Sequence, residues 1–462
     1  MNEEIAYMIE TIRAFVKDEA EKFGAKGFYI ERNNTMPDAL KDDGAYFGFI
    51  HPSEEKSGPF HDFSFTIFPN NQNKAWLICL GVGSSGFKND YELATYPGPC
   101  RFFSKLIDTD GICKSDFSDI ESSLPRNFLD RDELAHIKKT LDKYRNVLPV
   151  AQIVKDPNSD DGKKRISSIL AGYAKLRNWP TNDSQRKAVS KAIKEVTSDK
   201  LSDDKKAVSS LLSERKYVVL QGAPGTGKTR LAKNIAAEWK AKTFFTQFHA
   251  ETSYSDFIYG IRPKLDAASL AYSGEEGVLL KAIKHAQAHP NEPTILIIDE
   301  INRANLSNVL GPLFYLFEYK QDFANVEIAL TPEIALSKIP SNLYVIATMN
   351  TADRSLAVVD FALRRRFAWY DLKPQAISSK EFHGKHFAKF EEIFNWYASS
   401  TELALQPGQG YFLAQNEDEM KNRIRYELFQ LMREYLQEGL LSNAKEELNS
   451  YFVAEIGQAL FE

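Results

Sequence analysis

A chain of 462 residues, 43% apolar and 26% charged, has the composition of an ordinary globular protein and the length for roughly two to four separate cores. Its formal net charge of −5 gives no global attraction to nucleic acid or to an anionic membrane. The three cysteines, Cys79, Cys100 and Cys113, cannot all pair with one another and show no metal-binding spacing, which excludes a disulfide scaffold and fits a reducing compartment. The acidic start Met-Asn-Glu-Glu lacks the basic and apolar pattern of a secretion signal, and no run is long enough to span a bilayer. A cytoplasmic protein without a membrane partner is expected.

Residues 1–110 predict a small α+β domain. Ile5 to Phe23 has helical spacing, with Ile5, Met8, Ile9, Ile12, Phe15 and Val16 on one face. Strand-like runs follow at 28–31, 46–51, 63–69 and 75–82, and Asn70 to Asn73 reads as a hairpin turn. Tyr46, Phe47, Trp76 and Phe87 could line a pocket that stacks an extruded base, but large rings are more often core packing. The glycine-rich run Gly81–Asp90 lacks a following Lys-Ser/Thr pair, so it is not read as a phosphate site. Target or DNA recognition by this domain is the expectation.

Residues 111–180 read as a helical linker region. Residues 114–126 are polar and loop-like, and Asp130 to Tyr144 has helical charge patterning. The run 155–164 is full of turn formers and reads as the clearest linker. Helices are expected at 165–176 and 181–195, the second with Asn182 or Asp183 as its N-cap. Residues 199–206 are charged and read as solvated.

The chemistry begins at 216–230. Tyr217 to Leu220 is a short β-branched run that reads as a buried strand, and Leu231 to Trp239 has helical spacing. Between them Gly222, Gly225, Gly227, Lys228 and Thr229 fill G-x-x-x-x-G-K-[ST]. Glycines let backbone N–H groups turn inward around a phosphate, and the following helix aims its positive end at the same anion. Gly222, Ala223, Pro224, Gly225, Thr226, Gly227, Lys228, Thr229 and Arg230 are therefore the expected nucleotide contacts. Lys228 would reach the β- and γ-phosphates, and Thr229 would hold Mg²⁺.

Downstream, 243–248 reads as a second strand and 278–289 as a helix. Thr294 to Ile298 is an apolar strand ending in Asp299 and Glu300. Asp299 is the expected partner of Thr229 at Mg²⁺, and Glu300 is placed to polarise the attacking water. Residues 342–350 form another buried strand, whose terminal Asn350 can hold that water from the far side. Residues 360–367 read as a helix end bearing Arg364, Arg365 and Arg366. Consecutive helical residues point in different directions, so one arginine can face a neighbouring subunit's γ-phosphate while another turns inward.

In that order, these motifs look like the AAA+ module. Met349-Asn-Thr-Ala-Asp-Arg-Ser355, followed by Ala362-Leu-Arg-Arg-Arg-Phe367, closely resembles the signature of the McrB family, the motor subunits of modification-dependent McrBC restriction systems. Glu300-Ile-Asn-Arg-Ala304 and Tyr254-Ser-Asp-Phe-Ile-Tyr-Gly-Ile-Arg-Pro263 match as well. The resemblance covers about residues 180 to 440. It implies an α/β fold: a P-loop NTPase core with an αβα parallel sheet of order 5-1-4-3-2 over 181–375, and a helical lid over 376–462. It further implies a homo-hexameric ring with Mg²⁺ and GTP or ATP between subunits. Asn350 and Asp353 would take part in stimulated hydrolysis, and Arg365 or Arg366 would act in trans. It also implies DNA as a target, a preference for GTP, and a separate McrC-like nuclease partner, since no nuclease motif is evident in this chain.

Toward the end, 380–400, 420–439 and 442–462 read as helices, with Leu428, Leu431, Met432 and Tyr435 on one face. Gly408-Gln-Gly-Tyr-Phe412 resembles a family motif Gly-His-Ser-Tyr-Phe, with Gln409 and Gly410 in place of its His and Ser. Arg423 and Arg425 are candidates for a nucleotide-sensing arginine, against the plainer expectation of a solvated helix face. Two other classes compete with a restriction motor. One is an AAA+ protein-remodelling chaperone of MoxR or dynein-related type. The other is a non-hydrolysing, nucleotide-gated scaffold, which the intact Lys228, Asp299, Glu300 and Asn350 argue against.

Overall fold

The computed structural model describes residues 3–27, 29–42, 44–50, 63–72, 75–82, 96–197, 203–263, 272–317, 327–331, 333–352 and 361–461. The chain divides into two compact units: Met1–Lys200 with Asn395–Ser399, and Leu201–Phe394 with Ser400–Glu462. Among the described residues no helix is long and apolar enough to cross a membrane.

The first unit is built on an antiparallel sheet of β1 (Ile30–Asn34), β2 (Tyr46–Ile50), β3 (Phe63–Phe68), β4 (Trp76–Val82), β5 (Gly111–Cys113) and β6 (Val150–Val154), in the order β1-β2-β3-β4-β6-β5. Helices Glu3–Lys22, Asp160–Leu176 and Asp183–Lys194 share one core with Phe47, Phe65, Trp76 and Ile78. Leu77, Cys79, Ala151 and Ile153 point into a second core, against Phe128, Leu134, Ile137 and Leu141. Covered on both faces, β4 is buried at every position, so its sequence is a continuous apolar run and not an alternation. The spacing of Ile5, Met8, Ile9, Ile12 and Val16 is that of a helix burying one stripe, and all five are buried.

Two expectations need correction. The domain boundary near residue 110 falls inside the sheet, because β6 pairs with β4, Trp76 opposite Val154, and β5 pairs with β6. Val150, Ile153 and Val154 are each fully or nearly buried there. At about 1.5–3 kcal/mol each, losing their burial would rival the ~5–15 kcal/mol net stability of a whole domain. The expected linker at 155–164 instead leads into helix Asp160–Leu176, whose N-cap Ser159 accepts the Gly162 N–H. Asn182 is the cap of the next helix, in a capping box with Gln185. Of the aromatics considered for base stacking, Phe47 and Trp76 are core residues. Tyr46 lines a cavity of about 60 Å³, room for a few waters. Phe87 and most of the 81–90 run lie outside the described residues.

The second unit contains a five-stranded parallel sheet: β7 (Tyr217–Gly222), β8 (Lys242–Gln247), β11 (Thr294–Asp299), β14 (Leu343–Asn350) and β15 (Ala368–Asp371). Their order, β15-β7-β14-β11-β8, is 5-1-4-3-2 when the five are counted along the chain. This is the αβα sheet of a P-loop NTPase core. Helices Asp204–Arg215 and Lys228–Glu238 pack on one face with Val218, Leu220, Ile295 and Ile346, while Val278–Ala288 packs on the other with Val219, Leu296 and Val345. Helix Asp204–Arg215 replaces part of the solvated run expected at 199–206. Asp203 caps it, and the Asp204 carboxylate accepts from Tyr370 Oη at 2.6 Å and Gln375 Nε2 at 3.0 Å.

Two short antiparallel hairpins interrupt the α/β alternation: β9 (Tyr259–Pro263) with β10 (Tyr272–Glu276), and β12 (Ile328–Thr331) with β13 (Ile334–Leu336). A helical subdomain follows, with helices Gly384–Tyr397, Glu417–Arg423, Phe429–Gln437 and Lys445–Ile456. Phe387, Phe390, Phe412, Phe429 and Phe452 meet edge to face in its centre. Phe382 and Leu413 form an isolated antiparallel bridge, so the helix expected from residue 380 begins four residues later.

Candidate active site

The site is assembled at the C-terminal edge of the parallel sheet, where β7, β11 and β14 end together. In the register of β14 and β7, Asn350 lies opposite Gly222, and the N–H of Thr351 donates to the Gly222 carbonyl at 3.1 Å. The last residue of one strand is thereby fixed beside the first glycine of the loop. Gly225 and Gly227 have φ of +77° and +85°, the left-handed region that glycine enters without steric cost. Helix Lys228–Glu238 starts directly after them. Lys228 Nζ folds back over the loop and donates to the carbonyls of Gly222 at 2.9 Å and Ala223 at 2.8 Å. It is buried within the cradle that a phosphate chain would enter. Ala223 and Thr226 are buried, Pro224 is half-buried, and Arg230 is exposed.

The two acidic residues at the end of β11 behave differently. Asp299 Oδ1 accepts from Thr229 Oγ1 at 2.7 Å and from Thr348 Oγ1 at 2.6 Å. Two hydroxyls on one carboxylate oxygen hold it rigidly beside the loop. Glu300 turns into the left-handed region, φ +55°, which costs a non-glycine residue energy and is a conformation found disproportionately at working sites. Its N–H donates to Thr348 Oγ1 at 3.1 Å. Thr348 therefore accepts from Glu300 and donates to Asp299, tying the two acids into one piece. The Glu300 carboxylate itself is ion-paired with Arg303, three residues on.

The helical subdomain closes over the loop through residues 408–411. The Gly408 N–H donates to the Pro224 carbonyl at 2.9 Å, the Gly410 N–H to that of Gly225 at 2.8 Å, and Gln409 Nε2 to that of Thr226 at 2.8 Å. The approach is close enough that a Cβ on Gly408 would fall 2.1 Å from the carbonyl carbon of Gly225. Arg423 braces this segment from behind. Its Nη1 donates to the carbonyls of Gly410, at 3.0 Å, and Leu413, while Nε and Nη2 reach both oxygens of Glu427 at 3.0 Å. A solvated helix face is thus the wrong description of Arg423. Gln409 and Gly410, though they differ from the resembled motif, still make the junction.

The three arginines of helix Phe361–Arg366 separate by environment. Arg364 lies over the Trp369 ring, 5.2 Å from its centroid. Arg365 is exposed, and Arg366 is buried at 8% exposure. Asp353 lies outside the described residues. Thr348, Arg303 and the bracing role of Arg423 were not anticipated from sequence. Alternation along β14 would have found Thr348, because it lies two residues before Asn350 and hence on the same face.

The family model for the AAA domain of the dynein-related subfamily matches residues 217–367, the span from β7 to the end of the arginine helix. The EcoKMcrB subunit of a type IV methyl-directed restriction enzyme, from Escherichia coli strain K12, is 40% identical over 171 residues, 35% of this chain and 36% of that protein. Component YdiS of the type II restriction enzyme BsuMI, from Bacillus subtilis strain 168, is 30% identical over 195 residues, 33% of this chain and 55% of that protein. The matches thus span about a third to a half of those relatives' own lengths. Among solved structures, the RuvB Holliday junction branch migration motor of Thermotoga maritima is 22% identical over 42% of this chain and 49% of that one, with a TM-score of 0.23.

Proposed function

We propose that this chain, whose core matches the AAA domain model and is similar to the EcoKMcrB subunit, hydrolyses a nucleoside triphosphate as the motor subunit of a McrB-type restriction system. The observation that carries this reading is the junction of Thr229, Asp299 and Thr348 beside the Lys228 loop. It brings a phosphate cradle, two metal-capable oxygens and a backbone-anchored glutamate to one strand edge. Thr229 and Asp299 fit Mg²⁺, a hard cation that takes hydroxyl and carboxylate oxygens. When bound, the ion would neutralise charge on the β- and γ-phosphates.

Lys228 exchanges its two carbonyl partners for phosphate oxygens. Glu300 releases Arg303 and orients the attacking water, with Asn350 on the opposite side. Asp353, two residues beyond Thr351, is proposed to act with Asn350. Arg365 is the better trans finger, because it is exposed where Arg366 is buried. An arginine acting in trans requires neighbouring subunits, and a homo-hexameric ring is the arrangement proposed. The two similar restriction proteins favour DNA as the target and a separate McrC-like nuclease as the partner. The first unit is the proposed reader of that DNA.

The test is steady-state hydrolysis of GTP and of ATP by the purified chain, with and without Mg²⁺, beside Glu300→Gln. Turnover of GTP in preference to ATP, lost in Glu300→Gln, would support the restriction motor. The dynein-related character of the matching domain favours one alternative, a protein-remodelling ATPase. Turnover of ATP alone, insensitive to DNA, would select it.

A further inference from the structure

Behind the segment that clasps the phosphate loop lies a cluster that the nucleotide reading leaves unused. His383 and His386, at H-x-x-H spacing, approach Glu417 at the start of helix Glu417–Arg423. Each offers one ligand atom, and the three atoms lie within 4.8 Å of one another. His383 Nδ1 is 3.5 Å from Glu417 Oε1. We propose that His383, His386 and Glu417 bind one divalent ion of the zinc class and that this ion fastens the clasping segment to the helical subdomain.

Three observations support the assignment. First, the second nitrogen of each ring already has a partner. His383 Nε2 lies 3.3 Å from the Ala414 carbonyl, and His386 Nδ1 lies 2.9 Å from Tyr451 Oη. Metal-binding imidazoles characteristically use one nitrogen for the ion and the other for such an orienting hydrogen bond. The Ala414 carbonyl needs an N–H, so it selects the tautomer of His383 whose Nδ1 lone pair faces Glu417. The Tyr451 bond leaves Nε2 of His386 as its ligand atom.

Second, the donor set is selective. Two imidazoles and one carboxylate suit Zn²⁺ and its neighbours, whereas Mg²⁺ and Ca²⁺ prefer oxygen ligands throughout. Water would complete four-coordination. Bonds of about 2.0–2.2 Å require ligand atoms roughly 3.3 Å apart, closer than they now stand. The Glu417 side chain is 75% exposed and is free of packing that would oppose turning inward.

Third, the cluster is joined by backbone to the nucleotide site. The His383 N–H donates to the Phe412 carbonyl at 2.9 Å, and the Ala414 N–H to that of Glu381 at 2.9 Å. Residues 408–410, just upstream, hold the carbonyls of Pro224 and Gly225. An ion bridging His383, His386 and Glu417 would pin the far end of the same short segment.

The test is titration of the metal-stripped full chain with ZnCl₂ by calorimetry, repeated with Co²⁺ for its visible spectrum. One saturable site per chain and tetrahedral Co²⁺ bands without a thiolate charge-transfer band are expected. Glu417→Gln, His383→Gln and the positioning variant Tyr451→Phe should each bind at least about tenfold more weakly. Glu417 is exposed, so its variant keeps the fold, and an unchanged apo melting curve checks this. Amide exchange across 408–414 should slow on adding Zn²⁺ in the wild type and not in Glu417→Gln. Binding equally tight in all three variants, a thiolate band, or no saturable step would overturn the site. Tight binding without slowed exchange would overturn the fastening role.

Discussion

The hydroxyl of Thr348 donates to Oδ1 of Asp299 at 2.6 Å, the same oxygen that Thr229 reaches from the phosphate loop. A side chain from β14 thus fixes an acid on β11, and the acid can present its carboxylate to an ion without rotating. A hydrogen bond to a charged group is worth about 1.5–3 kcal/mol, which corresponds to roughly 10- to 100-fold in rate. Thr348→Val keeps the shape and removes the hydroxyl. It should lower kcat by about that factor and raise the Mg²⁺ concentration needed for half-maximal turnover, while Thr348→Ser restores both. Steady-state kinetics across a Mg²⁺ series checks this.

Glu300→Gln keeps the backbone bond to Thr348 and loses the charge. Nucleotide binding should be retained, with turnover reduced at least about 100-fold as expected for loss of a general base. Arg303→Met should have the opposite sign. Freeing Glu300 from its ion pair should raise basal turnover a few-fold with nucleotide affinity unchanged. A fall would mean that Arg303 positions the glutamate and does not restrain it.

Gly408→Ala introduces a methyl where the backbone of Gly225 already stands. The clash is with main chain on both sides, so neither partner can yield by rotating. Nucleotide affinity should fall at least about tenfold, since loop and clasp must separate, a cost of the order seen for overpacking, ~1–3 kcal/mol. Fluorescent-nucleotide titration is the measurement.

Arg365→Ala and Arg366→Ala should fail in different ways. Arg365→Ala is expected to fold normally and lose turnover, with activity partly recovered on mixing with Glu300→Gln, since each variant supplies what the other lacks. Arg366 is buried, and Arg366→Ala should instead lower the melting temperature. Mixed-assembly hydrolysis and thermal denaturation separate the two.

Truncation distinguishes the domain boundaries. Removal of residues 1–110 strips β1–β4 from β5 and β6 and should yield aggregating protein. Removal of residues 1–200 should leave Mg²⁺-dependent hydrolysis and abolish DNA binding. Size-exclusion chromatography and hydrolysis assays read the outcomes.

What could be read in the sequence was the chemistry carried by contiguous residues. Gly222 to Thr229, Asp299-Glu300 and Asn350 each sit at a strand end, and the apolar runs before them fixed that placement. Relationships set by tertiary approach were not legible. Nothing local tells that Gly408 and Gly410 must be glycine, because the reason is the backbone of residues 224–226. Arg423 looks like any charged helix residue until its two carbonyl partners are known. β5 is three residues long and β6 lies 36 residues beyond it, so the first sheet closes through pairing that periodicity does not encode. The β10 strand, Tyr-Ser-Gly-Glu-Glu, is too polar to announce itself.

The arginine helix runs directly into β15, and Ala368 at the head of that strand is in register with Val218 of β7. Two residues separate Arg365 from a strand hydrogen-bonded to the one that carries the phosphate loop. In an assembled ring, a pull on that arginine by the neighbour's nucleotide would be felt one strand spacing away, about 4.8 Å. In the proposed ring, each subunit's phosphate loop would thus be mechanically coupled to the nucleotide that its neighbour holds.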